Sequence, residues 1–352
     1  MSGDAVAPTR VVIASAPVRV CDIGGWTDTW FAGHGHVCSI AVQPGVTVRA
    51  AAYPRAARRQ AVVVDAVDYG ERLVLGPGKE VPARHRLLAA VIDEAGIPDD
   101  LAVELSVASG VPPGCATGTS ASVAVALIGA LDHLTGNRRT PAEIAGAAHR
   151  VEVERLGLQS GVQDQLAAAF GGINHIEVTD YPDARVRPMA LTGEIRSELE
   201  RRLLLVYLGR AHQSSTVHEQ VVADLADEGP GSTRLDVLRR CAERAVDALA
   251  RGDWDALGRV MIDSTDAQAA LHPSVVSDDA HRVIAVAQAN GALGWKVNGA
   301  GGEGGSLTLL CGAGADSRLV LAGAIDATER ASVIPIRLSA EGLQCREGRR
   351  RP

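Results

Sequence analysis

Residues 112–122, with the sequence PPGCATGTSAS, constrain this chain most because they run directly into an apolar Ala/Val/Leu stretch that ends near Leu134. Such a stretch predicts a helix, so the loop lies at a helix N-terminus, where unpaired amides and the helix dipole favour an anion. Small and hydroxyl-bearing residues of the loop can wrap around phosphate oxygens or a metal. They are Gly114, Gly118, Thr119, Ser120 and Ser122. The loop lacks the Walker pattern GxxxxGK(S/T), and a Gly/Ser turn that only caps a buried helix fits the loop alone equally well.

Two further segments favour the anion-binding interpretation. Residues 16–29, APVRVCDIGGWTDT, follow an apolar strand, and residues 296–306, KVNGAGGEGGS, lie between two strand-like runs. In this order the three segments resemble the GHMP kinase superfamily over roughly residues 10–340. The motif GGWTDT and the later segment GVQDQLAAAFGGINHIE are most similar to the branch that holds fucokinases and heptose-7-phosphate kinases. The resemblance implies a two-domain fold, with an N-terminal ribosomal-protein-S5-like α/β domain and a C-terminal ferredoxin-like α+β domain.

The pattern of elements agrees with an α+β class, because strands and helices mix without regular βαβ repeats. Thr140, Pro141 and Glu143 form a capping box with proline at the first helical position, which predicts a helix to about Leu156. Periodicity is lost around residues 180–191, where two prolines occur. We therefore expect an N-terminal domain over 1–185 and a C-terminal domain over 186–352. Four long amphipathic helices are predicted in the second half, at about 215–228, 233–250, 254–269 and 277–290.

Composition excludes several classes of protein. The 352 residues are 46% hydrophobic and 22% charged, with a net charge of −7, which argues against nonspecific nucleic-acid binding. No apolar run approaches the ~18 residues of a membrane helix, and residues 1–10 lack a signal-peptide pattern, so a cytoplasmic location without membrane contact is expected. The six cysteines show no metal-ligand spacing. The sequence leaves open whether the protein forms a homodimer.

Phosphoryl transfer from ATP requires a cradle for the phosphates, a divalent cation and a group that receives or orients the acceptor hydroxyl. The resemblance implies that the loop binds ATP and that Ser120 and Glu154 hold Mg²⁺. Glu152, two residues away, is expected on another face of the helix, so the two glutamates cannot both serve. Without the resemblance, a glutamate at a helix end is usually a solvated charge. The loop residues assigned to ATP are Pro113, Gly114, Cys115, Ala116, Thr117, Gly118, Thr119, Ser120 and Ala121.

Asp164 is the candidate catalytic carboxylate, since it matches the aspartate that meets the phosphoryl acceptor in the sugar-kinase and mevalonate-kinase branches. Its alternative role is a helix N-cap. Arg19 resembles the basic residue of the first motif, which would hold Asp164 ionised and offset phosphoryl charge; its alternative role is a structural salt bridge at a strand end. Residues assigned to the acceptor on the resemblance are Gly25, Trp26, Thr27, Asp28, Ser215, His218, Gly301 and Gly302.

Residues 299–304 match GxGxxG, the dinucleotide fingerprint, but a strand-like run follows instead of the helix that a Rossmann site requires. Departures from the family pattern include Ala116 in place of a usual glycine, and Gly25-Trp26 in place of the Glu-His of galactokinases, which argues against galactose. The expected function is an ATP- and Mg²⁺-dependent kinase for a hydroxyl, expected to be anomeric, of a sugar or sugar phosphate such as a heptose 7-phosphate or a fucose-like sugar. The alternatives are a GHMP kinase for a non-sugar alcohol and a non-catalytic sugar- and ATP-sensing relative.

Overall fold

The computed structural model describes residues 6–76, 79–211, 214–314 and 316–349, the side chains of residues 214–216 excepted. Its strands are β1 (Arg10–Ile23), β2 (Gly35–Pro54), β3 (Val62–Ala66), β4 (Glu71–Leu75), β5 (Leu101–Ser109), β6 (Ile173–Asp180), β7 (Asp183–Pro188), β8 (Leu203–Tyr207), β9 (Ala292–Val297), β10 (Ser306–Cys311), β11 (Ser332–Ile334), β12 (Arg337–Leu338) and β13 (Gln344–Glu347). Its helices are α1 (Arg86–Ala95), α2 (Thr119–Thr135), α3 (Pro141–Arg150), α4 (Gln163–Phe170), α5 (Gly193–Arg202), α6 (Ser214–Leu225), α7 (Thr233–Arg251), α8 (Trp254–Ala269), α9 (Asp278–Ala289) and α10 (Ser317–Asp326).

The large sheet is organised around β2, a strand of 20 residues. Its principal strand order is β13-β1-β2-β5-β3-β4, and β6 and β12 pair with further stretches of β2. All pairs are antiparallel except β3 with β5. Apolar side chains of this sheet pack against α1, α2, α3 and α4 in one core. Because α2 is buried almost all round, its N-terminus has a fixed position at one end of the sheet.

The small sheet has the order β11-β8-β10-β9 and is antiparallel throughout. Its chain order is strand, helices, two strands, helix and strand, which is the ferredoxin-like arrangement. One hydrophobic cluster, which includes Val18 and Ile40 of the large sheet and Leu205 of the small one, also takes in α7 and α8. The expected α+β class with two parts and a ferredoxin-like second part is confirmed.

The last two strands return to the large sheet. β13 pairs with β1, β12 pairs with β2, and Leu343 lies so close to Gly129 of α2 that a Cβ there would meet its side chain at 2.5 Å. The proline-containing stretch near residue 185 forms β7, which pairs with β6. The domain division at residue 185 stays a prediction. In the described parts of the chain, no helix is both long and apolar enough to cross a bilayer.

Candidate active site

A cleft of about 510 Å³ opens between the N-terminus of α2 and residues from both sheets. Its lining comes from five places along the chain. They are Arg19, Trp26, Asp28 and Thr29; residues 114–121; Glu152, residues 157–161, Gln163 and Asp164; His218 and Glu219; and Gly299 and Ala300. All three sequence motifs therefore contribute to one cleft, whose volume lies in the range of small-molecule sites.

The loop before α2 is bent so that its backbone faces the cleft. Gly118, the cap residue of α2, has φ +68°, and Ala116 has φ +58°, a conformation that usually requires glycine. Ser120 is exposed in the first turn of α2. Ser122 does not serve as expected, because its hydroxyl donates to the carbonyl oxygen of Pro17 at 2.7 Å and is buried. The free amides at the start of α2 remain available to an anion.

Arg19 and Asp164 form a two-pronged ion pair at the base of the cleft. The Arg19 Nε donates to Asp164 Oδ1 at 2.8 Å, and Nη2 donates to Oδ2 at 3.2 Å. The remaining arm of Arg19 donates to the carbonyl oxygen of Ala116 at 2.5 Å. A Cβ on Gly118 would lie 3.1 Å from the Asp164 carboxylate, so the anion-binding loop and this carboxylate are adjacent. Asp164 is the second residue of α4 and not its cap, which is Val162.

A second pair of buried charges lies behind Arg19 and joins the two sheets. Asp22 of β1 is 4.0 Å from Arg19 and 3.7 Å from the Nζ of Lys296 on β9, and both Asp22 and Lys296 are fully buried. Asp22 also accepts from the Gly299 amide at 3.1 Å. Burial lowers the pKa of Lys296 although Asp22 raises it, whereas the nearby cations hold the pKa of Asp22 below its ordinary value despite burial. Neither residue was singled out from the sequence.

The structure places the two glutamates differently from the sequence expectation. Glu154 is exposed and does not line the cleft, whereas Glu152 is buried in its wall. Residues 151–155 form a π-helical turn, and the wider turn changes which residue faces inward relative to the α-helix that the sequence predicted to about Leu156. Glu152 accepts from the Ser160 hydroxyl and the Gln165 amide, each at 2.7 Å. Burial raises the pKa of Glu152 to about 7.

Asp28, Trp26 and His218 also line the cleft. Asp28 is 2% exposed, and its carboxylate accepts a hydrogen bond from the backbone amide of Gln163 at 3.0 Å. A Cβ on Gly161 would overlap this carboxylate. Burial raises the pKa of Asp28 to about 6. Trp26 adopts φ +79°, which is strained for a bulky residue, and its ring lies 4.7 Å from that of His218. Its Nε1 is buried and has no hydrogen-bond partner in the part of the chain that the structure describes.

Other residues assigned from the sequence lie near the cleft but not in its lining. Pro113 is exposed beside the loop, and Thr27 is buried, where its hydroxyl donates to the Gly24 carbonyl at 2.7 Å. Gly25 packs against Asp22 and Gln163. Gly301 and Gly302 pack against Val275, and the Gly302 amide donates to its carbonyl oxygen at 2.7 Å. Instead, Gly299 and Ala300 reach the cleft. The side chain of Ser215 falls outside the described residues.

Parts of the chain are similar in sequence to known kinases. Residues 84–172 match the model for the N-terminal domain of GHMP kinases. The chain is 30% identical over 204 residues to a D-glycero-alpha-D-manno-heptose 7-phosphate kinase of Campylobacter jejuni, covering 58% of this chain and 60% of that one. It is 25% identical over 326 residues to a bifunctional fucokinase/GDP-fucose pyrophosphorylase of Arabidopsis thaliana, covering 87% of this chain and 30% of that one. The chain thus spans less than two thirds of either relative.

A solved structure has the same fold over almost the whole chain. It is a D-glycero-D-manno-heptose 1-phosphate kinase of Bacteroides thetaiotaomicron, with a TM-score of 0.73 and 19% identity over 96% of this chain and 99% of that one. The matched domain and the sequence relatives lead to the same conclusion: residues 84–172 form a GHMP kinase N-terminal domain, and the chain around them is similar in sequence to sugar kinases that contain it.

Proposed function

We propose that this protein is a kinase that transfers the γ-phosphoryl group of ATP to a hydroxyl, the anomeric one, of a sugar or sugar phosphate of the heptose or fucose type. The observation that carries the proposal is the adjacency of the loop before α2 to the Arg19–Asp164 pair inside one cleft. The amides at the start of α2 suit a triphosphate, and the carboxylate beside them suits the proton of an acceptor hydroxyl.

In the proposed reaction the acceptor oxygen attacks the γ-phosphorus, the bond from that phosphorus to the β–γ bridging oxygen breaks, and ADP leaves. Asp164 orients the acceptor and takes its proton, so the product is a sugar phosphate. Arg19 holds the Asp164 carboxylate in place through two hydrogen bonds and adds positive charge near the transferring group. Burial lowers the pKa of Arg19, but the nearby carboxylates of Asp164 and Asp22 raise it by more. The guanidinium therefore stays charged.

The donor set of the cleft fits Mg²⁺, which prefers oxygen ligands and takes few of them from protein. Glu152 is buried, its hydrogen-bond partners are the neutral groups of Ser160 and Gln165, and no ion pair is formed by it within the described residues. A cation would therefore compensate its charge. Glu152, in place of Glu154, and the exposed hydroxyl of Ser120 are the proposed protein ligands. When bound, Mg²⁺ would neutralise charge on the triphosphate.

The test is ADP release with a panel of acceptors, followed by phosphorus NMR of the product. Heptoses and their 7-phosphates, fucose, other hexoses, cyclitols and mevalonate cover the proposed and alternative acceptors. Turnover with a sugar, and a product phosphate bonded to the anomeric carbon, would support the proposal. Turnover restricted to mevalonate or cyclitols would replace the sugar with another alcohol. Nucleotide binding without turnover on any acceptor would favour the sensing alternative and contradict the proposal.

A further inference from the structure

We propose that the acceptor is a sugar that carries neither a phosphate nor a carboxylate. This inference rests on the proposed function and selects between the sugar and the sugar phosphate within it. It concerns the acceptor end of the cleft, where Trp26, Asp28, Gln163, His218 and Glu219 lie.

The charges of the cleft wall favour an uncharged acceptor. Four carboxylates line it, from Asp28, Glu152, Asp164 and Glu219. Arg19 is the one arginine or lysine among the described lining residues, and its guanidinium is already hydrogen-bonded to Asp164 and Ala116. Burial lowers the pKa of His218, so its ring is neutral at pH 7. Because Glu152 is the proposed Mg²⁺ ligand and Asp164 is paired with Arg19, a second dianion beside the triphosphate would face Asp28 and Glu219, and like charges in a binding site reduce affinity.

Arginines close in sequence to lining residues are paired with carboxylates outside the lining. Arg155 contacts Glu94 at 2.5 Å, and Arg210 contacts both Asp279 and Glu303. Residues 212–216, whose side chains lie outside the description, have the sequence HQSST and therefore contain neither arginine nor lysine. Lys296 is buried against Asp22 and Gln268.

Hydrogen-bonding capacity gives an independent reason. Trp26 and Gln163, 4% and 7% exposed, line the cleft, and among the described residues the Trp26 Nε1 and the Gln163 Oε1 have no hydrogen-bond partner. A sugar hydroxyl can accept from an indole N–H and donate to an amide oxygen or to the Asp28 carboxylate. A phosphate dianion or a carboxylate can only accept, so neither could take the place of a hydroxyl beside Gln163 and Asp28. This part of the wall therefore matches sugar hydroxyls and offers no site for an anionic substituent.

The experiment compares kcat/KM within matched pairs of acceptors. The pairs are D-glycero-D-manno-heptose with its 7-phosphate, mannose with mannose 6-phosphate, and galactose with galacturonate. We expect the uncharged member of each accepted pair to be preferred by about tenfold or more. Preference for the charged member would overturn the inference while leaving the kinase proposal intact. Loss of the kinase proposal has a different signature, since no member of any pair would then be phosphorylated.

A charge reversal at Glu219 tests the electrostatic basis. Glu219 is exposed on α6 at the cleft, so Glu219→Lys is tolerated by the fold and places a cation beside the acceptor. We expect the ratio of kcat/KM for the charged to the uncharged member to rise by about tenfold. The matched control is Asp247→Lys, the same charge change on an exposed position of α7 outside the cleft lining, which should leave the ratio unchanged. An unchanged ratio in Glu219→Lys would contradict the inference.

Discussion

The two sides of the cleft contribute different kinds of group. The side built by the large sheet supplies charged side chains, namely those of Arg19, Asp28, Glu152 and Asp164. The side built by the small sheet and its helices supplies the backbone of Gly299 and Ala300, the His218 and Glu219 side chains of α6 and, behind them, the buried charge of Lys296. Substitution of Asp164 on the first side should therefore change the reaction, whereas substitution of Lys296 on the second should change stability.

The largest effect is expected for Asp164→Asn. An amide keeps the shape of the side chain but cannot take the hydroxyl proton, so kcat should fall by about 10²–10⁴-fold. Nucleotide affinity, measured by titration calorimetry, should change only a few-fold, because the loop before α2 is untouched. Asp247→Asn, on the surface of α7, is the matched control. An Asp164→Asn enzyme within a few-fold of wild type would break the assignment of chemistry to the large-sheet side.

Lys296→Met should mainly destabilise the protein. It leaves Asp22 buried with one cation fewer, which typically costs about 3–5 kcal/mol in the free energy of unfolding. Urea denaturation measures this loss. The control is Lys79→Met, since Lys79 is the chain's other lysine and is exposed. Adding Asp22→Asn to Lys296→Met removes both charges and should restore part of the stability. A loss below about 1 kcal/mol in the single variant would show that the small-sheet side does not depend on this pair.

The smallest effect is a pH dependence carried by Asp28. Its pKa is raised from 3.8 to about 6 by burial, with Asp164 and Asp22 adding to the shift, so the folded state binds the proton more tightly than the unfolded state. Stability from this group is therefore lost as pH rises from about 4 to 6. Asp28→Asn does not titrate, so its free energy of unfolding relative to wild type should rise by about 2–3 kcal/mol between pH 4 and pH 7. A difference in the free energy of unfolding that does not change with pH would contradict the buried position of Asp28 near other carboxylates.

Local signals in the sequence predicted much of the fold. The capping box at Thr140 and Glu143 is present, α2 begins at Thr119 next to its glycine loop, and the four helices predicted in the second half lie close to their predicted bounds. These features depend on neighbouring residues, which sequence patterns record. In contrast, β13 was missed because short strands gain their stability from pairing with distant strands.

The candidate site divides in the same way. The loop before α2, Arg19, Asp28 and Asp164, which motif order placed together, all line one cleft, and their roles stay predictions. Glu152 lines the cleft where the sequence analysis expected Glu154, because a π-helical turn, which has no simple sequence signature, changes the face of the helix. Asp22 and Gly299 are 277 residues apart, and their contact follows only from the packing of one sheet on the other.

The route of the chain also limits how the cleft can change shape. The polypeptide leaves the large sheet after β7, builds the small sheet, and comes back at β12 only two residues after β11. The small sheet is thus connected to the large sheet by the chain at both of its ends. A wider cleft requires both connecting segments to bend together, which favours rotation of the small sheet about a single axis over free rotation.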